Sequence, residues 1–346
     1  MAARLPLSLV LLVSLLGCGA RISAPRGDAH LAAMGDATRH HHHGRLEEAA
    51  QAWEVAAREA ERRVDREEAE YRRARAFVRL GHPDEALSIL DALARHRPIA
   101  RRTIRARFEA ARLRWEHDPE RALRALTWIV EEHPGHGVAG HALRLLLEAR
   151  RGESPTSRIE WLSALFERVA DSDLGDDVLS AKAQLEYDAD DRGAAVATLE
   201  GLVERYHYPH GQRWDDALAR LADFAEEEED WEGAIAYLER MLSTHVQTIV
   251  PGSQTLPGFP AASLRQARIV RDHLDDPERA EAYFRATHDR FPTSRLRDDA
   301  LYELGAMWLD RRQPERGCAP LREVVENFEV GHARRLAAAR LAADCG

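Results

Sequence analysis

Seven small residues recur along the chain: Ala49, Ala86, Ala122, Ala195, Ala234, Ala280 and Gly317, at intervals of 37, 36, 73, 39, 46 and 37 residues, the 73 being two periods. Each is followed four positions later by a large apolar residue, in order Trp53, Leu90, Leu126, Leu199, Leu238, Phe284 and Leu321. Residues four apart lie one turn apart on the same face of an α-helix, so each pair predicts a helix that turns a small and then a large side chain toward one seam. A larger side chain at the small position would push the facing helix away. A seam repeated about every 36 residues predicts helical hairpins stacked in an array rather than one round core.

The flanking residues keep the same step. "DPERA" stands at 118–122 and again at 276–280, with "HPDEA" at 82–86 and "QPERG" at 313–317. The proline falls in the first turn of a helix, where a missing N–H costs nothing, and the acidic residues suit the positive helix N-terminus. Pro98, Pro134 and Pro292 each lie twelve residues after their alanine and stop that helix, while Gly44 and Gly81 each lie five residues before theirs. Composition agrees: charged residues are 31% and aromatics 6%, with Asn327 the sole asparagine and Lys182 the sole lysine. Strand formers are scarce, which predicts an almost wholly helical chain. A net charge of -10 argues against a general nucleic-acid binder.

The repeat resembles the tetratricopeptide (TPR) family, whose motif has a small residue at its twentieth position, an aromatic or leucine at the twenty-fourth and proline at the thirty-second. The second, third and seventh repeats supply all three. The last tract, "RFPTSRLRDDALYELGAMWLDRRQPERGCAPLREVVENF", is the nearest match, with Leu301, Leu304, Gly305 and Trp308 in the first helix of the motif. Its phrasing is similar to envelope lipoproteins and coordinators of outer-membrane β-barrel assembly and Tol-Pal function. The resemblance implies an all-α, right-handed solenoid of about eight hairpins over residues 28–343, a C-terminal capping helix and a short tail at 344–346. Two stretches depart from the pattern. Around 139–173 the small residue gives way to "GESPTSRIEW", a degenerate repeat. The stretch "VQTIVPGSQTLPGFPAA" at 246–262, with three prolines and two glycines, reads as an extended loop and not a helix. It is either a tolerated insertion or a contact loop offering Ile249, Leu256 and Phe259 to a partner.

The first residues stand apart. "MAARLPLSLVLLVSLLGCGA" has a basic start at Arg4 and an apolar stretch from Leu5 to Leu16, too short to span a membrane and suited to an export signal at 1–17. Leu15-Leu16-Gly17-Cys18 resembles the bacterial lipobox, which implies cleavage before Cys18, lipid on its sulfur and a short lipidated linker at 18–27. By resemblance to proteobacterial lipoproteins, Gly19 implies sorting to the outer membrane, facing the periplasm. Acyl chains at about 0.8 kcal/mol per buried methylene hold such a protein firmly once two are present.

Catalytic signatures are missing: the chain has no Gly-rich phosphate loop, H-E-x-x-H, G-x-S-x-G or C-x-x-C. Glu153-Ser154 matches two letters of the lytic transglycosylase pair, with no counterpart for the rest of that domain. His40 to His43 are consecutive and point around a helix circumference, so they cannot converge on one ion; His133, His136 and His141 lie at a glycine- and proline-bearing junction. No metal or cofactor is expected. Cys318 and Cys345 would sit in an oxidising compartment if the chain is exported. Counting along the two helices from the turn near Gly331 brings them within about one helical turn, which predicts a disulfide pinning the capping helix.

By resemblance, fixed positions of each first TPR helix line the concave face. Carried over, they place Tyr71, Arg75, Arg79, Arg107, Arg114 and Arg150 in one half of a groove. Asp177, Asp188, Asp216, Asp223, Glu226 and Glu227 fall in the next. Such a face suits an extended charged peptide, or it is a solvated surface in an Arg/Glu-rich chain. The reading that follows is a non-enzymatic TPR adaptor lipoprotein holding envelope proteins or extended peptide segments in outer-membrane or envelope assembly. Alternatives are a pilotin or other secretion-system lipoprotein, a peptidoglycan enzyme or its accessory protein, and a soluble periplasmic binding protein for small ligands.

Overall fold

A computed structural model describes residues 26–208, 210–243 and 258–346. Among the described residues all regular structure is helical, and the chain divides into two compact units between Ala142 and Leu143. Lipidation at Cys18, the signal at 1–17, most of the 18–27 linker, and Ile249 and Leu256 lie outside the described residues.

The N-terminal unit holds α1 (Asp28–His42), α2 (Leu46–Arg58), α3 (Arg63–Leu80), α4 (Pro83–Ala94), α5 (Arg101–Arg114) and α6 (Pro119–Glu132), and the division falls inside α7 (Ala139–Ala149). The C-terminal unit continues with α8 (Pro155–Val169), α9 (Gly175–Asp188), α10 (Arg192–Arg205), α11 (Trp214–Glu227) and α12 (Trp231–Ser243). Then follow α13 (Gly258–Ile269), which runs into a π-helical turn at Val270–Leu274, α14 (Pro277–Arg290), α15 (Arg297–Asp310), α16 (Pro314–Asn327) and α17 (His332–Asp344). Among the described residues α1 to α6 pair in order as three two-helix repeats and α9 to α16 as four, with α17 left as a cap.

The small-residue ruler acquires a physical meaning. Ala49, Ala86, Ala122, Ala195, Ala234, Ala280 and Gly317 are each the fourth residue of a second helix, and all are buried. The large residue one turn on is buried beside each of them. In the "DPERA" phrase the aspartate is the N-cap: Asp118 accepts from the Arg121 N–H at 3.1 Å and Asp276 from the Arg279 N–H at 3.0 Å. Its side-chain oxygen satisfies a donor that the helix cannot, and the proline behind it stands where no donor is needed. Gly81 ends α3 at φ +78°, in the left-handed region where a side chain is strained.

One sequence expectation takes a different form. Residues 258–262, read as extended loop, are the first turn of α13, with Pro260 at its third position, where the backbone N–H has no intrahelical partner. Phe259, a candidate contact residue, is fully buried and packs in the core near Tyr208, 6.0 Å between rings. Proline and glycine counts could not reveal this, because burial of an aromatic anchors a helix start that propensity disfavours. The degenerate stretch 139–173 carries α7 and α8, and Ser154 caps α8 through the Ser157 N–H at 3.2 Å.

At the C-terminal end α17 lies against α15 and α16 through the buried Ala333 and Ala337. Cys318 in α16 and Cys345 just past α17 are joined in a disulfide, with their Cα atoms 5.9 Å apart.

Candidate functional site

The helix α5 carries six arginines, at 101, 102, 105, 107, 112 and 114, and one acidic residue, Glu109. At 3.6 residues per turn Arg102 and Arg105 lie about 150° around the helix from Arg107 and Arg114, so α5 sends guanidinium groups to two sides. Each side is a cavity.

The first cavity, of about 420 Å³, is bounded by α1, α3 and α5, with Trp53 of α2. Five guanidinium groups line it, from Arg72, Arg75, Arg79, Arg102 and Arg105, against one lining carboxylate, Glu68. Glu68 pairs with Arg72 at 2.7 Å and with Arg102. Burial pushes the Glu68 carboxyl up, but the Arg72 hydrogen bond and the Arg102 and Arg72 charges outweigh it and hold the group below its ordinary value. Glu68 is therefore ionised at neutral pH and already committed.

Among the described residues the other three guanidinium groups have no carboxylate in contact. Arg105 donates from Nε to Tyr71 Oη at 3.0 Å, and that hydroxyl donates to Glu109 at 3.3 Å. Burial, then the Glu109 charge, raises the Tyr71 phenol above its ordinary value, so it stays a hydroxyl. The Tyr71 ring also has Arg102 over its face, 4.7 Å from the centroid. Arg79 donates to His41 Nε2 at 2.7 Å, which requires that nitrogen to be unprotonated. Burial, followed by the Arg79, His42, Arg75 and Arg72 charges, lowers the His41 pKa. Arg75 is exposed and makes no ion pair among the described residues. The buried Trp53 Nε1–H, on the cavity wall, has no acceptor among the described residues. Donors thus outnumber acceptors throughout, and a buried or half-buried donor without a partner favours an incoming anion.

The second cavity, of about 380 Å³, lies between α4, α5 and α6 and is lined by Arg95, Arg107, Arg114, Arg121 and Arg124, with Asp91 as its one carboxylate. Tyr71, Arg75 and Arg79 therefore share one cavity, and Arg107 and Arg114 share another. The sequence assigned all five to one face; the rotation of α5 separates them. Arg150 joins neither, since it pairs with Glu153 at 2.9 Å and covers the Trp161 ring at 4.7 Å. Sequence reasoning missed Arg72, Arg102, Arg105, Arg121 and Arg124. The run of arginines in α5 with a single acid was the available signal.

The acidic half has a different role. Asp177 pairs with Arg213 at 2.7 Å, Asp223 and Glu226 both pair with Arg265, at 2.7 and 2.6 Å, and Glu227 pairs with Arg192. Asp216 is 3.4 Å from Arg213, and Asp188 accepts from Gln184 at 2.8 Å. Many such links join residues one repeat apart: Arg240 to Glu204, Arg316 to Glu278 and Arg268 to Glu303. Apart from Asp216 and Asp188, whose partners lie three and four residues away, these carboxylates tie neighbouring hairpins together. Residues 28–142 hold 20 arginines and 20 acidic residues, while 143–346 hold 26 basic and 39 acidic ones, so the arginine excess of the cavities is a local segregation within a stretch of balanced charge.

Among the described residues no group of histidine, cysteine and carboxylate side chains is placed to hold a metal ion, and no helix is long and apolar enough to cross a membrane.

One family model, described as "Tetratricopeptide repeat", matches residues 68–98, which span most of α3, all of α4 and the turn after it. No curated protein matches the chain. Among solved structures, a tetratricopeptide repeat protein from Parabacteroides merdae is 14% identical over 90% of this chain and 98% of its own, with a TM-score of 0.29. The C-terminal part of a TPR repeat-containing protein from Cytophaga hutchinsonii is 11% identical over 87% and 97%, with a TM-score of 0.38. A chain from the structure of Naa15/Naa10 bound to HypK-THB is 18% identical over 96% of this chain and 47% of its own, also at 0.38. At such scores the likeness carries no argument about what this chain binds.

Proposed function

We propose that this chain is a non-catalytic interaction scaffold whose first cavity receives an acidic, extended polypeptide segment. The observation that carries the reading is the five guanidinium groups around one committed carboxylate, three of them without an ionic partner among the described residues. Arginine forks take carboxylates in paired, charge-assisted hydrogen bonds, and an extended segment exposes its carboxylates without an ordering cost inside a helix of its own. The Tyr71 ring and Trp53 supply an apolar wall for the stem of a glutamate. Lipidation of Cys18 would tether this scaffold to the periplasmic face of the outer membrane, where a partner of envelope assembly would present the acidic segment.

The test is binding of a fluorescent Glu/Asp-rich peptide by anisotropy. Reversing both exposed partners, Arg75→Glu with Arg79→Glu, is expected to weaken binding about 30-fold, on the order of 2 kcal/mol, and raised salt should weaken the wild-type complex. Unchanged affinity in the double variant would sink the reading. Crosslinked capture from native envelopes, comparing wild type with Cys18→Ala, tests the anchoring: recovery of the same envelope partners regardless of Cys18 speaks against it.

A further inference from the structure

The second cavity holds Arg107 and Arg114, which the repeat pattern had placed on one concave face with Tyr71, Arg75 and Arg79. Its wall is built from α4 and α6, the second helices of their repeats, and from the side of α5 turned away from Tyr71. Arg107 lies over the Trp128 ring, 3.8 Å from its centroid, and its nearest acceptor is the Ala94 carbonyl at 3.4 Å. Among the described residues no carboxylate contacts it. Burial, and then the Arg97 charge, lowers its pKa. Arg95 at the rim is exposed and makes no ion pair among the described residues. Asp91 shows what the cavity accepts: one carboxylate sits between two guanidinium groups, 2.5 Å from Arg114 and 3.1 Å from Arg121.

We infer that this second cavity is a receptor for another acidic polypeptide segment, so that the N-terminal unit holds two such segments at once, one on each side of α5. The second site stands on its own residues; only the claim of two at once rests on the reading of the first cavity. The guanidinium groups are spread along α5 and α6 rather than gathered round one point, which matches carboxylates spaced along a chain better than a single compact anion. Ala110, Ala125 and the Trp128 ring give the cavity an apolar floor for glutamate methylenes. A scaffold with two such receptors can join two acidic partners, or bind one partner at two places with gain from effective concentration.

The experiment is calorimetric titration of the full chain with a Glu/Asp-rich peptide of about ten residues, in wild type and in two exposed pairs of variants. One pair is Arg75→Glu with Arg79→Glu; the other is Arg95→Glu with Arg124→Glu, which leaves the stacked Arg107 in place, and far-UV circular dichroism checks both for folding. The expected result is two peptides per chain in wild type, one in either pair and none in the combined variant. One peptide per chain, lost in the first pair and untouched by the second, overturns the second site and keeps the first. One peptide lost only in the second pair keeps the second site and overturns the first-cavity reading. One peptide weakened about tenfold by each pair means a single segment spanning both sides, and overturns the claim of two at once. An oligonucleotide that binds through Arg95 and Arg124 where the peptide does not would also overturn the inference.

Discussion

Arg105 and Tyr71, one repeat apart on α5 and α3, meet in a hydrogen bond of 3.0 Å from the guanidinium Nε to the phenol oxygen. The same hydroxyl donates to Glu109 at 3.3 Å. Tyr71 thus holds at the wall of the first cavity a cation with no ionic partner among the described residues, while its own O–H donates a hydrogen bond to a carboxylate. Tyr71→Phe is expected to cost about 1 kcal/mol of stability, read by urea denaturation, because both links go and no volume is lost. It should also weaken acidic-peptide binding less than the Arg75/Arg79 reversal does. An equal loss from Tyr71→Phe would mean that the ring position, not the charge, carries the interaction.

Binding of an acidic segment should take up protons. In the free chain His41 is held below the ordinary 6.5, chiefly by burial and then by Arg79. A carboxylate placed among Arg72, Arg75 and Arg79 cancels that charge and favours the imidazolium, so the His41 pKa is higher in the complex than in the free chain. Affinity therefore rises as pH falls from 8 through the histidine range, and the gain levels off below the lowered pKa of the free chain, where His41 is protonated in both states. Titration in two buffers of different ionisation enthalpy measures the uptake, and His41→Asn should abolish it. A proton count of zero in wild type contradicts this.

Gly305 and Gly317 bring α15 and α16 together. A Cβ on Gly305 would stand 2.6 Å from Leu321 Cγ and 2.8 Å from the Gly317 carbonyl oxygen, and a backbone atom cannot swing aside. Gly305→Ala is expected to destabilise the C-terminal unit by roughly 1–3 kcal/mol. Gly201 in α10 has nothing within 4 Å of its Cβ position, so Gly201→Ala should instead stabilise by about 0.5–1 kcal/mol. Thermal melts of the two variants should move in opposite directions.

The Cys318–Cys345 disulfide closes a loop of 27 residues around α17. Its removal by Cys345→Ser is expected to cost about 3 kcal/mol through the freer unfolded chain. Hydrogen exchange should quicken in α17 while α3 to α6 are unaffected, since α17 contacts α15 and α16. Faster exchange spread over the N-terminal unit would contradict this local role.

A period of about 36 residues, a buried alanine at the fourth position of each second helix and an aspartate or proline at its start were all legible in the sequence, because they act within one or two turns of chain. The helical-repeat architecture follows from them directly. Two other features depended on how helices are rotated against each other. The repeat pattern puts Arg75 and Arg107 on one concave face, yet the two line different cavities. The acidic residues Asp223 and Glu226 look free in the sequence, yet Arg265, about one repeat on, takes both. Likewise the start of α13 at Gly258 is set by the burial of Phe259, which local propensity does not encode. Short-range periodicity decided where the helices lie along the chain, while long-range packing decided which charges were left without partners, because pairing depends on neighbours that are one repeat away in sequence and in contact only after folding.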